Sequence, residues 1–348
     1  MASGRSTPLQ VTTLMDNSSD VLLPAEGGLV RRWGLNGSAG PLPVIPNGMA
    51  IGGQSLDFLR AEHGFSAVVE TTVAGRSRRV LFDAGITPDG LIGNLDRLGI
   101  PPDTFEAIVF SRGHFDHVMG LDGVARRVGR TNLPVLLHPD FWTRRRLVTP
   151  GAVFELPTPS RQAMQGAGLV IIEDRQPSSC STANLLVTGE VDRTTDFETG
   201  MPPTHQAWRD GSWHPDQAVA DEQAVVLHIR DKGPVVLTAC GHSGIVNIVR
   251  HAKRLTGVEK VPAVPGGFHL RDGDITLTVT ALAAEAPAVV VPAHCTSCEA
   301  QQALATGLPG AFRPNAVGSC CQLSRHRRPS SRHSAPVGDA AAPDSRGM

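Results

Sequence analysis

Runs of apolar and β-branched residues, broken at regular intervals by Gly, Pro, Asn and Asp, set the pattern of this chain. A first strand is predicted over residues 8–15, ending at the turn formers Asp16, Asn17 and Ser18. From Leu22 to Gly53 no period of 2 or 3.6 is sustained, and the segment reads as a long irregular surface stretch. FSAVVETTV (65–73) and SRRVLFDAG (77–85), separated by Ala74, Gly75 and Arg76, form a predicted hairpin. A helix follows over 88–98, with Pro88 near its start and Gly99 just beyond its end. Then come a strand at 106–111, a helix at 122–129 and a strand at 133–139. The later half repeats the theme: paired strands at 224–230 and 234–240, a helix at 244–257 and a buried strand at 286–295. Strand and helix alternating at short spacing predict a layered α/β sheet. Residues 140–220 are rich in Pro, Ser, Thr and Trp, and read as an insertion over one face; Cys320 and Cys321 read as part of a last strand.

Composition narrows this picture. With 348 residues, 41% of them hydrophobic, the chain has enough material for a large core. Thirty-two basic and 33 acidic residues leave a formal net charge of −1, which argues against nucleic acid and membrane surfaces as partners and for a small molecule. No apolar run approaches a membrane span, and MASGRSTPLQ lacks the apolar core of a secretory signal, so the expected location is cytoplasmic. Six cysteines spread over positions 180–321 do not form a disulfide framework. The tail 324–348 has little to bury and is expected to be disordered.

The chemistry concentrates where strands end. SRGHFDH (111–117) places His114, Asp116 and His117 just after a predicted strand, where a loop can turn all three toward one point. Nitrogen and carboxylate donors in that arrangement suit a zinc-class ion. The plainer alternative is a helix N-terminus with Asp116 in its first turn. His242, His269 and His294 also follow predicted strands or a glycine pair. Side chains at strand ends gather along one edge of a layered sheet, where ligands bind, so these histidines and the triplet are expected to share a site. CTSC (295–298) has the spacing of redox and zinc cysteine pairs, without a thioredoxin-like setting.

VFSRGHFDHVMGL resembles the His-x-His-x-Asp-His signature of the metallo-β-lactamase fold. LTACGHSGIVNIV, GGFHL and PAHCTS resemble the branch named for dihydropterin-methyl-ribofuranosylaminobenzene phosphate synthase. The resemblance runs from about Val11 to Leu323 and implies one domain over 1–323, a four-layer αβ/βα sandwich with one or two Zn2+ ions on a sheet edge, other divalent metals being open to the same ligands. It implies His114, Asp116, His117, His242 and His294 as metal ligands, with Asp116 also orienting the reaction or accepting its proton. Asp83 would brace the metal loop, and Asp16 and His269 would lie near substrate.

One position departs from the signature: Arg112 stands where its first histidine belongs. A guanidinium stays protonated and has no lone pair, so it cannot be a ligand. Three outcomes follow: one metal held by Asp116, His117 and His294; two metals, one poorly held; or lost catalysis, with Arg112 paired to Asp116. Arg112 is also a candidate for a substrate phosphate or carboxylate. The implied function is that of a zinc-dependent hydrolase or group transferase acting on a small anionic molecule through a metal-bound hydroxide. The rival is a degenerate metal- or ligand-binding protein of the same fold. Substrate and oligomeric state leave no trace in the text.

Overall fold

The computed structural model describes residues 9–26, 29–35, 42–73, 75–129, 132–180, 185–229, 232–271 and 273–323. The tail expected to be disordered, 324–348, lies outside them. Two sheets face each other. The larger runs in the order Leu169–Glu173, Leu133–Leu137, Phe105–Val109, Arg76–Phe82, Ser66–Val73, Leu9–Met15, Cys320–Leu323, Val30–Arg31. Its first four strands are parallel neighbours; the rest pair antiparallel, including the predicted hairpin. The second sheet contains Ser178–Cys180, Leu185–Val187, Val225–Ile229 and Gly233–Leu237. Parallel bridges from Val235 to Ala263 and from Thr238 to Gly266 extend it to the parallel pair Val264–Gly267 and Val290–Ala293.

Side-chain alternation along the strands builds the layers. Val69, Val80 and Phe82 point between the sheets and meet Val225, Leu227, Val235 and Leu237. The residues between them, Val68 and Leu81, face outward onto Leu91 and Leu95 of helix Pro88–Leu98 and Val124 of helix Leu121–Val128. On the other side Val226 and Val236 face outward onto Val246 and Val249 of helix Ile245–Thr256. Three apolar interfaces therefore separate four layers, the αβ/βα sandwich expected from the sequence.

The helices begin and end where their caps dictate. Thr87 accepts from Gly90 N at the start of Pro88–Leu98, and Gly99 closes it at φ 66°, a left-handed conformation glycine adopts without strain. Three elements escape the sequence pattern: helices Ile275–Ala284 and Cys298–Gly307, and strand Val264–Gly267. The first is nearly uniform in hydropathy around its circumference and the last carries two glycines, so neither shows a period.

The reading of 140–220 as one insertion is corrected. Leu169–Glu173 is the edge of the larger sheet, and Leu185–Val187 lies inside the second. What remains is a separate four-stranded sheet, Ala152–Glu155, Arg145–Thr149, His205–Arg209 and Ser212–Pro215. Five-residue and three-residue strands between Pro- and Ser-rich loops are too short to show a period. Within 22–53 the described backbone is largely irregular, with a two-residue strand and one arm of a small hairpin, Val44–Pro46 with Gln54–Leu56.

Candidate metal centre

The site forms where strands from both sheets end. Phe105–Val109 delivers the loop 110–114 and the one-turn helix Phe115–Val118, whose first turn holds Asp116 and His117. Gly113 is required there: a Cβ would lie 1.8 Å from the carbonyl oxygen of Phe141. Asp83, at φ 57°, anchors the loop, with its Oδ1 accepting from Ser111 N at 2.7 Å and its Oδ2 from Ser111 Oγ at 2.6 Å. The same Oδ2 lies 2.7 Å from His117 Nδ1. A carboxylate at Nδ1 places the proton there and leaves the Nε2 lone pair facing the centre, the orientation a metal-ligating histidine takes. Asp83 thus braces the loop, in the role the resemblance implied.

His294, at φ 48° after strand Val290–Ala293, is held in the same way. Its backbone N donates to Asp16 Oδ1 at 2.6 Å, its Nδ1 lies 3.2 Å from Asn17 Oδ1, and Asn17 Nδ2 donates to its carbonyl at 2.9 Å. Asn315 Nδ2 satisfies the other Asp16 oxygen at 2.8 Å. Asp16 is therefore corrected from a substrate contact to a support: it is buried, and both its oxygens are occupied.

Four donors converge. One donor atom each from His117, Cys240 and His294 lies within 4.8 Å of the other two, and all three residues are buried. Asp116 Oδ2 is 3.3 Å from His294 Nε2 and 3.7 Å from His117 Nε2. His294 Nε2 is buried and has no hydrogen-bond partner among the described residues. Burial works against charge on Asp116, but His117, His294 and Arg112 outweigh it and hold the carboxyl well below its usual range. Burial alone would lower His294; Asp116 and Cys240 instead hold it up at about 9. The pocket attracts positive charge.

Arg112 already supplies one positive charge. The side chain is buried, its Nε donates to His114 Nδ1 at 2.9 Å, one terminal nitrogen lies against His117 Nε2, and the other is 3.6 Å from Glu222 Oε1. Burial opposes the guanidinium charge, yet Cys240, Glu222, Asp116 and Asp83 raise its pKa above the ordinary value. Three expectations change here. Arg112 is not a substrate fork, because its donors are taken up inside the protein, and its partner is Glu222 rather than Asp116. His114 is not drawn into the donor group, because Arg112 occupies its Nδ1.

His242 stands beside this cation, its ring 5.0 Å from that of His114 and its Nδ1 3.3 Å from Glu222 Oε1. Its Nε2 is 3.7 Å from Cys240 Sγ, so it borders the donor group rather than completing it. Burial, then Arg112, lowers the pKa of His242 well below the ordinary value; burial, Arg112 and Arg145 do the same to His114. Both rings are neutral at neutral pH. His269, at φ 43°, places Nδ1 3.4 Å from Cys240 Sγ. It faces the thiol side of the site.

Sequence reasoning left several participants unassigned. Cys240 was visible only as a neighbour of His242. Asp221 and Glu222 hold the surrounding loops: Asp221 accepts from Gly113 N at 2.9 Å, and Glu222 from Ser243 N at 2.5 Å. His63, exposed at the mouth, brings Nε2 within 3.5 Å of Asp116 Oδ2. His205 stacks its ring 5.0 Å from His114. Cys240 closes a predicted strand and the others come from segments with no periodic signal; only the tertiary structure brings them to the site.

Comparison with known proteins agrees with this fold. The family model of the metallo-beta-lactamase superfamily matches residues 60–228. A Methanocaldococcus jannaschii protein named 7,8-dihydropterin-6-methyl-4-(beta-D-ribofuranosyl)-aminobenzene-5'-phosphate synthase is 27% identical over 251 residues, 69% of this chain and 83% of that protein. An uncharacterized protein of the same organism is 31% identical over 247 residues, 69% of this chain and 86% of its own length. Among solved structures, a metal-dependent hydrolase of the beta-lactamase superfamily superposes with a TM-score of 0.64 at 22% identity, covering 91% of this chain and 100% of that one. A shared fold, a family model matched over residues 60–228, and relatives matched over most of their length lead to one conclusion: the chain belongs to the metallo-beta-lactamase superfamily.

Proposed function

We propose that the protein is an enzyme holding one zinc-class divalent ion through Asp116, His117, His294 and Cys240, and that it acts on a small anionic molecule by hydrolysis or group transfer. The carrying observation is the convergence of His117, Cys240 and His294 within 4.8 Å, with Asp116 Oδ2 3.3 Å from His294 Nε2. Two imidazoles, a thiol and a carboxylate are a donor set suited to zinc. The neighbouring subsite does not fit an ion, because Arg112 is a permanent cation without a lone pair and uses His114 Nδ1. One ion is therefore the expected content.

Bound there, such an ion acidifies water and polarises the bond under attack. The chain's own groups do the rest. Asp116, held anionic, accepts and passes a proton at Oδ2, where His63 and His294 both reach it. Asp83 and Asn17 fix the two imidazole orientations. At the mouth, the positive charge of Arg271, near enough to His63 to help burial and His294 lower its pKa, favours an anionic substrate. The 27% identical relative is named for a phosphate-bearing product, which is in keeping with that preference.

A metal-free binding protein is the second reading, favoured by the contact of Arg112 with His117 Nε2, which takes a lone pair that a metal needs. Metal content after purification without chelator separates the two. The enzyme reading expects about one zinc per chain, activity toward one of a phosphodiester, thioester and lactone panel, and at least about 10-fold weaker zinc binding in Asp116→Asn. A chain that takes up no zinc and shows no zinc-dependent turnover would be the binding protein.

A further inference from the structure

Neighbouring strands lie about 4.8 Å apart, so side chains beyond the ends of strands two places apart are separated by roughly 10 Å of sheet. Cys240 follows strand Gly233–Leu237 and Cys295 follows Val290–Ala293, with Val264–Gly267 between them. Their sulfurs are nevertheless 2.7 Å apart. Gly267 makes the meeting possible: a Cβ there would lie 2.3 Å from Ala239 O and 3.1 Å from Cys295 Sγ. Both are buried free cysteines. Cys298, which shares the Cys-x-x-Cys spacing with Cys295, is exposed and starts helix Cys298–Gly307.

From this geometry we infer a redox modification site: Cys240 and Cys295 form a reversible disulfide that withdraws Cys240 from the metal centre. The consequence for metal rests on the reading above; the bond itself does not. The sulfur separation selects a disulfide over an ion shared by the two thiols. Two thiolates on one tetrahedral zinc, each at about 2.3 Å, stand roughly 3.8 Å apart, whereas a disulfide needs about 2.0 Å. The pair is already on the near side of that interval.

A cavity of about 50 Å³, room enough for a few water-sized molecules, is lined by Gly241 and His242, the next residues along the chain from Cys240, and by His269, whose Nδ1 is 3.4 Å from the Cys240 sulfur. A small peroxide entering by this route would react as follows. The Cys240 sulfur attacks one peroxide oxygen, the O–O bond breaks, and a sulfenic acid and water result. The Cys295 sulfur then attacks the Cys240 sulfur, the S–O bond breaks, and a second water leaves. Two thiols and one peroxide become one disulfide and two waters, two electrons passing from sulfur to oxygen. A dithiol reductant reverses the change by exchange.

The test uses the full chain, reduced, freed of reductant and treated with hydrogen peroxide. Peptide mapping should show Cys240 joined to Cys295 in the wild type and in Cys298→Ser, with no such link in Cys295→Ser or Cys295→Ala. Zinc loading should slow the reaction, and the oxidised chain should bind zinc at least about 10-fold more weakly, as for loss of a ligand's support, until dithiothreitol restores it. A link through Cys298, or none with both thiols still alkylatable in the wild type, overturns the inference. So does a second zinc equivalent that is lost in Cys295→Ser. A Cys240–Cys295 link in a chain that takes up no zinc leaves the disulfide standing and removes the metal reading.

Discussion

Arg112 decides the character of the site more than any other residue. A histidine there would offer a lone pair; the guanidinium offers a fixed charge and hydrogen bonds to both neighbouring imidazoles, His114 and His117. Replacing it with a ligand should return the subsite to metal. Arg112→His is expected to raise bound zinc from about one to about two per chain, read by elemental analysis on protein prepared without chelator. Unchanged stoichiometry would mean that His114 and His242 are not poised to bind. That this position departs from the superfamily signature was legible in the residues alone. That its charge is balanced by Glu222, 110 positions later but adjacent in space, was not.

At the level of elements, the strands Gly233–Leu237 and Val290–Ala293 that lead to Cys240 and His294 are buried on both faces, and their apolar runs were legible for that reason. Strand Cys320–Leu323 shows the cost of such burial for an ionisable group. Cys321 packs between the sheets, opposite Val11 and Val30, and burial pushes its thiol up to about 12 from an ordinary 9. Between those values the unfolded chain has lost the proton and the folded chain keeps it, so stability is intact below pH 9 and falls as pH rises above it. Thermal unfolding followed from pH 8 to 11 should show this decline, and Cys321→Ala should flatten it while lowering stability by about 1 kcal/mol at neutral pH. A decline as steep in the variant would assign alkaline sensitivity elsewhere.

Across the whole molecule, the small four-stranded sheet is tied to the metal loop by buried charge. Arg145, on its second strand, donates from Nε to Asp216 Oδ2 at 2.8 Å and from NH1 to Asp221 Oδ2 at 3.2 Å; Asp221 in turn accepts from Gly113 N at 2.9 Å. Removing the guanidinium takes from buried Asp221 its arginine partner and leaves buried Asp216 with Arg209 alone of its two arginines. Arg145→Ala should therefore cost about 3–5 kcal/mol in denaturant unfolding and loosen the loop bearing Asp116 and His117. A loss below 1 kcal/mol would show that the sheet is not coupled to the site in this way. This connection also marks where sequence and structure divide. Periodicity and turn chemistry determined the layered α/β fold, the strand ends and the stretch holding His114, Asp116 and His117, because those follow from interactions between residues near one another in the chain. The tertiary structure alone decided that Cys240 joins His117 and His294, that Asp16 supports rather than binds, that Arg112 takes His114 out of the donor group, and that residues 140–220 divide among three sheets. Those outcomes depend on which strand ends are packed side by side, and distance along a chain carries no record of that.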